Sequence, residues 1–234
     1  MKILGITLVK NEDLYIRQAL LNSLDFCDEI IVLDNNSTDN TWGIVSKLSK
    51  EYSHVSARRW VDPMNSGIVL NPYIGKDYWV FGVDGDEIYD PLGLSLLRKD
   101  LLNGIYENIY CIKGHCLHCS DINLSTKKAE GWDCPPSRTI TKLYNFSLLK
   151  NFKQNERLHG FSELKNGYDS TPFNLCDTMS WDDSHLKCLH AAFVPRSSLD
   201  LSPSPRTPPN GNLPFKLEKY RKGEIIKRNI STFL

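Results

Sequence analysis

The chain has 234 residues, of which 41% are hydrophobic, 10% aromatic and 24% charged, and its 28 basic and 28 acidic residues cancel. The composition fits one globular α/β domain with a short appendage, and the zero net charge leaves no global field that would point to nucleic acid. Seven cysteines, an odd number with no leader-like stretch before them, lead us to expect free thiols in a reducing, cytoplasmic setting.

Ile3 to Val9 is an apolar run too short for a secretory leader or a membrane span, and it suits a buried strand. Leu14 to Leu24 places Leu14, Ile16, Ala19, Leu20, Leu21 and Leu24 near helical spacing. Glu29 to Leu33 reads as a second strand. It ends in DNNSTDNT, where Thr38 or Asp39 is expected to cap a helix through Ile44, Val45 and Leu48. His54 to Trp60 reads as a third strand. Tyr78 to Val83 reads as a fourth, running straight into Asp84–Gly85–Asp86–Glu87, and Pro91 then opens a helix through Leu94, Leu97 and Leu101.

This alternation predicts a mostly parallel sheet flanked by helices, whose ligands bind at the carboxyl ends of its strands. Polar residues stand at three such ends: Lys10–Asn11–Glu12, Asp34 to Asp39, and Asp84 to Glu87. Beyond them, Ile109 to His118 and Ile140 to Phe146 are predicted strands. Residues 202–214 hold five prolines and read as an extended linker, and residues 215–234 read as a basic, weakly amphipathic helix.

The sharpest motif is Asp84–Gly85–Asp86 behind an apolar strand. Two carboxylates one residue apart at a strand end repel each other unless a cation neutralises them. Hard ions such as Mg²⁺ or Mn²⁺ take such ligands together with substrate phosphate oxygens. Gly85 would let the backbone approach a ligand closely. A solvated acidic turn is the plainer account of the motif alone.

With Thr7–Leu8–Val9–Lys10–Asn11–Glu12 and Val32–Leu33–Asp34–Asn35–Asn36–Ser37–Thr38–Asp39 upstream of it, the chain over residues 1–100 resembles family 2 glycosyltransferases. The resemblance implies a GT-A-like nucleotide-diphospho-sugar transferase fold. We expect residues 1–201 to form one domain, with a nucleotide-sugar-binding half, 1–105, and an acceptor-side half, 106–201, followed by a linker and basic tail, 202–234. The resemblance also implies that Thr7, Leu8, Val9, Asn11 and Glu12 line the nucleotide, that Asp34 and Asn35 face base and ribose, that Asp84 lies near the ribose, and that Asp86 holds Mn²⁺ or Mg²⁺ on the diphosphate. Gly85 belongs to the same turn. Asn65 and Gly67 stand where the family often has an N-x-G. Many members have two acids where this chain has Asp34–Asn35. An amide both donates and accepts, so base recognition survives while the preference for uracil weakens. A UDP-sugar remains the favoured donor.

In the second half, Arg157–Leu158–His159–Gly160–Phe161–Ser162–Glu163 and Trp181–Asp182–Asp183–Ser184–His185, followed by His190, are similar to bacterial transferases of lipopolysaccharide cores. Arg138, Glu163 and His190 would be the counterparts, although the usual His-Glu pair reads Ser162–Glu163. Inverting transfer needs a carboxylate to take the acceptor hydroxyl's proton. Glu163 is the first choice, with Asp182 and Asp183 behind it, and His190 would complete the metal shell with Asp84 and Asp86. The acceptor is expected to be a glycan or lipid-linked hydroxyl.

Cys111, Cys116, Cys119 and Cys134 with His115 and His118 are suitable zinc ligands by type. Their spacing lacks paired knuckles, and on one strand Cys116 would face away from Cys111 and Cys119. Buried free thiols without zinc are therefore expected. The basic tail could hold an anionic membrane as a peripheral helix, or simply be solvated. Two other functions stay open: a non-catalytic nucleotide-sugar-binding homologue, and a sugar-1-phosphate nucleotidyltransferase. The latter needs a Gly-rich loop where this chain reads LVKNED.

Overall fold

The computed structural model describes residues 1–139, 142–153, 157–159, 161–200 and 218–234. Its first sheet opens with β1 (Lys2–Val9), β2 (Glu29–Asp34), β3 (Val55–Arg59) and β4 (Tyr78–Gly82), all parallel in the order β3-β2-β1-β4. β1 lies between β2 and β4. Its near-continuous apolar run suits burial on both faces, as parallel sheets require.

α1 (Ile16–Ser23), α2 (Thr41–Glu51) and α3 (Pro91–Leu102) connect these strands and those that follow. They cover one face, where Ile16, Leu20, Val45, Leu97 and Leu101 join Ile3, Val32 and Phe81 in one core. On the other face, Leu4, Ile6, Leu33 and Val80 pack with Val69 and Leu70 of a 3₁₀ segment, Pro63–Tyr73. Asp90 caps α3, accepting from Leu92 N at 3.2 Å, and Pro91 follows at its first position. For α2 the expectation changes. The cap position is Asn40, while Asp39 Oδ1 accepts the Thr41 amide at 2.9 Å.

The chain then crosses repeatedly between two sheets. After β4, the Asp84–Gly85–Asp86 turn carries it from the first sheet into β5 (Glu87–Tyr89), an edge of the second. The strand expected over Ile109 to His118 is really two, β6 (Cys111–Lys113) in the first sheet and β7 (His115–Asn123) in the second. They part at Gly114, where a Cβ would lie 2.0 Å from the Leu186 carbonyl oxygen. Cys111 and Cys119 therefore belong to different sheets and share no face.

β8 (Lys128–Cys134) pairs with β7. β9 (Lys142–Asn145) runs antiparallel to β4 and β6; of the Ile140 to Phe146 expectation, Ile140 and Thr141 lie outside the described residues, and Phe146 opens a 3₁₀ turn instead. β10 (Leu149–Lys153) and β11 (Phe161–Leu164) form a separate two-stranded ladder. β12 (Phe173–Asn174) edges the first sheet, and β13 (Lys187–His190) runs between β5 and β7.

The expected terminal helix is instead a strand, β14 (Ile225–Asn229), antiparallel to β8. Its burial alternates, as in a strand covered on one side, and the register places Lys227 against Glu130. Ile230 and Phe233 then close a core with Leu117, Leu189 and Trp181. The proline-rich residues 202–214 and Gly160 lie outside the described residues. Among the described residues no helix is long and apolar enough to cross a membrane.

Candidate active site

A cavity of about 440 Å³ opens at the carboxyl ends of β1, β2 and β4 and is lined by Leu8, Val9, Lys10, Glu12, Asn35, Pro63, Asp84, Asp86, Arg157 and Arg196. Three carboxylates, from the ends of β1 and β4, meet three cations there. Arg157, nearly buried, binds Asp84 through Nη1, and Lys142 Nζ lies 3.4 Å from the other Asp84 oxygen. Arg196 Nη1 donates to Glu12 Oε1 at 2.7 Å and to Asp86 Oδ2 at 3.1 Å. Burial pushes the Arg157 guanidinium down to about 10, against a pull upward from Glu12, and it stays charged at neutral pH. Burial also opposes the charge of Arg196, but Asp86 and Glu12 outweigh it and hold the group above its ordinary value.

Gly85 is required by this packing. A Cβ there would sit 2.3 Å from Glu12 Oε2 and 3.1 Å from both Val9 Cγ2 and Ile16 Cδ1. The Glu12 carboxylate thus lies against the backbone between Asp84 and Asp86. This all-oxygen cluster fits a hard divalent ion, and the guanidinium bridging two of its carboxylates supplies positive charge at the same place.

Of the expected residues, Leu8, Val9, Glu12, Asn35, Asp84 and Asp86 line this one cavity. Other expected residues support the rim from behind. Thr7 is wholly buried within β1. Asn11 ties the first two strand ends together, since its Oδ1 accepts the Thr38 amide at 2.8 Å and its own amide donates to Ser37 Oγ at 3.0 Å. Its backbone φ of 53° is left-handed, which asparagine tolerates.

Asp34 is fully buried and is gripped by Arg59, whose guanidinium lies 4.5 Å from the Trp42 ring centre. That leaves Asn35 to face the cavity. Asn65 is exposed on the 3₁₀ segment, while its neighbour Ser66 Oγ accepts the Arg157 amide at 3.0 Å.

His190 reaches Asp86, with Nε2 3.5 Å from Oδ2, but does not line the cavity. Its Nδ1 lies 2.9 Å from His118 Nδ1. Burial and then His190 push His118 down to about 3, so this ring is neutral. Arg138 is an exposed side chain whose carbonyl meets His118 Nε2 at 2.8 Å.

None of the three candidate bases lines the cavity. Glu163 on β11 pairs with Lys150 at 2.6 Å. Asp182 and Asp183 are exposed after Trp181, and Asp183 accepts from Ser180 Oγ at 2.6 Å. The sequence reading assigned no role to Arg157, Lys142 or Arg196. Arg157 stood in a quoted segment, but nothing in its spacing ties it to Asp84, 73 residues earlier. Arg196 lies 110 residues from Asp86 and carries no local motif.

The sequence profile of glycosyl transferase family 2 matches residues 6–162. No curated protein matches the chain significantly. Among solved structures, S. aureus TarS is 22% identical with a TM-score of 0.42, over 64% of this chain and 29% of that one. Mannosyltransferase PcManGT from Pyrobaculum calidifontis, in complex with GDP-Man and Mn²⁺, is 16% identical with a TM-score of 0.39, over 50% of this chain and 35% of that one. A UDP-glucose pyrophosphorylase complexed with UDP-glucose is 11% identical with a TM-score of 0.37, over 65% and 81%. The chain thus spans about a third of the length of the first two.

Proposed function

The chain belongs to glycosyl transferase family 2, and on that premise we propose that it is a GT-A enzyme moving a sugar from a nucleoside diphosphate sugar to a hydroxyl of a glycan or lipid-linked acceptor, with inversion. The observation that carries this reading is the meeting of Glu12, Asp84 and Asp86 with Arg157 and Arg196 around one cavity at the strand ends. Asn35 lies where base and ribose would be read, and its amide can both donate to and accept from a uracil edge. Lys10, Arg157 and Arg196 are placed to take the diphosphate, Arg196 by exchanging its carboxylate partners for phosphate oxygens.

Mn²⁺ or Mg²⁺ held by Asp86 and Glu12 would supply Lewis-acid stabilisation of the departing diphosphate. His190 contacts Asp86 at its rear and fixes that carboxylate's orientation. The acceptor's proton is assigned to Glu163. Its segment begins at the cavity, because Arg157 binds Asp84 and Leu158 packs against Gly82 six and five residues before it. Asp182 and Asp183 are the fallback.

A screen of nucleotide sugars for hydrolysis, with and without Mn²⁺, tests the reading. One donor should be cleaved only with metal, and Asp86→Asn should lower its turnover about a hundredfold or more. Full activity in excess chelator would remove the metal from the proposal. One observation favours a second reading, a nucleotide-sugar-binding protein without transfer: no candidate base lines the cavity. Donor binding without turnover of any acceptor would select it.

A further inference from the structure

The second sheet carries the same tripeptide on two neighbouring strands: Cys116–Leu117–His118 on β7 and Cys188–Leu189–His190 on β13. The strands are parallel and in register, with Cys188 opposite Cys116 and His190 opposite His118. Residues two apart on a strand share a face. The two leucines therefore point into the core beneath Phe233, while both cysteines and both histidines stand on the opposite face. All four are buried, the least of them, His190, at 5% exposure. The register thus brings two thiols and two imidazoles to one buried face.

The distances among Cys116, His118 and His190 fit three corners of a tetrahedral ion. Cys116 Sγ, His118 Nδ1 and His190 Nδ1 all lie within 4.8 Å of one another. The Cys116 Sγ to His118 Nδ1 distance is 3.6 Å. A zinc with bonds of about 2.3 Å to sulfur and 2.0 Å to nitrogen places such a pair about 3.5 Å apart. Cys188 stands opposite Cys116 in the ladder, outside that three-atom cluster but beside it on the same face, and it is the candidate for the fourth ligand.

The outer nitrogens agree. A metal-bound histidine turns its other ring N–H to a carbonyl or carboxylate. His118 Nε2 meets the Arg138 carbonyl at 2.8 Å, and His190 Nε2 faces Asp86 Oδ2 at 3.5 Å. Both rings thus turn Nδ1 inward, where the two atoms lie 2.9 Å apart.

We propose that Cys116, His118, Cys188 and His190 form a buried zinc site that clamps β7 to β13. On binding, each thiol gives its proton to solvent and each imidazole offers the Nδ1 lone pair. The site is separate from the ion on the diphosphate and has another purpose. β13 also pairs with β5, with His190 opposite Glu87, and the Ala191 amide donates to the Asp86 carbonyl at 2.9 Å. A clamp on β13 therefore steadies the turn that holds Asp86. The expectation of no zinc rests on the spacing of the cysteines and histidines between Cys111 and Cys134, whereas the matching tripeptide lies 72 residues further on.

The test is elemental analysis of the full chain purified under reducing conditions, after dialysis against Mg²⁺. About one zinc per chain is expected, lost in Cys116→Ser and in Cys188→Ser and kept in Cys27→Ser, whose thiol is buried in the helix-side core. If the serine variants fail to fold, protein produced with Co²⁺ decides the matter. Thiolate-to-cobalt charge-transfer bands with intense visible bands support the site. A folded parent chain that holds neither zinc nor cobalt overturns it, as does cobalt bound without thiolate bands or zinc retained in both serine variants.

Discussion

Arg196 donates from Nη1 to Asp86 Oδ2 at 3.1 Å, and the same nitrogen lies 2.7 Å from Glu12 Oε1. One guanidinium thus holds together carboxylates from two strand ends, in the place where a diphosphate and its counter-ion would need that charge.

Replacing Arg196 with Ala separates these two uses. A charge-assisted hydrogen bond contributes about 1.5–3 kcal/mol, so nucleoside diphosphate affinity should fall by about ten- to a hundredfold. Without nucleotide the effect should reverse, because Glu12 and Asp86 lose their internal cation and Mn²⁺ should bind more tightly. Calorimetric titration of each ligand checks both signs. Unchanged nucleotide affinity would free Arg196 from the donor site.

Gly85→Ala tests the packing behind the cluster. The added methyl would lie 2.3 Å from Glu12 Oε2, with Val9 and Ile16 closing off retreat at 3.1 Å. Glu12 must move, and overpacking of this kind costs about 1–3 kcal/mol. Urea denaturation should show that loss, and Mn²⁺ and nucleotide binding should weaken together. Parent-like stability and binding would contradict the close approach.

The strand-end rim of the candidate site was legible because it is local. Glu12, Asn35 and Asp86 each sit at the end of an apolar run, and a parallel sheet brings such ends to one rim. The partners of those acids were not legible. Arg157 and Arg196 come from irregular segments with no period to read, 73 and 110 residues from the aspartates they bind. The split at Gly114 was hidden for a different reason: residues 109–118 keep a strand-like pattern on both sides of it, and only contact with Leu186 shows why a glycine stands there. The tail misled because Ile225–Ile226–Lys227–Arg228–Asn229 carries no alternation that would mark a strand, and only the pairing with β8 makes it one.

That pairing makes the carboxyl-terminal residues part of the core. Phe233 is 1% exposed and stacks on Trp181 with ring centres 6.3 Å apart, while its carbonyl accepts from Asn22 Nδ2 at 2.9 Å. Phe233→Ala should cost about 3–5 kcal/mol by the usual cost of a buried aromatic truncation. Chemical denaturation of parent and variant measures it. A loss under about 1 kcal/mol would mean that the tail is merely laid on the surface.

Glu163→Gln tests the acceptor side. An inverting transfer must take a proton from the acceptor hydroxyl as the diphosphate leaves, and the donor-side carboxylates are already engaged by Arg157 and Arg196. Glu163 stands on β11, six residues after Arg157, which lines the cavity. Its ion pair with Lys150 at 2.6 Å is between exposed side chains and holds it only weakly, so a bound acceptor can displace the lysine. The glutamine keeps the shape and removes the basic oxygen. Transfer should be abolished while nucleotide affinity stays at the parent value, and Lys150→Ala should leave transfer standing. Steady-state transfer assays and calorimetry on the three proteins separate the cases. If Glu163→Gln transfers sugar at the parent rate and Asp182→Asn does not, the proton goes to the later acid, and the chain between Arg157 and Glu163 serves the donor alone.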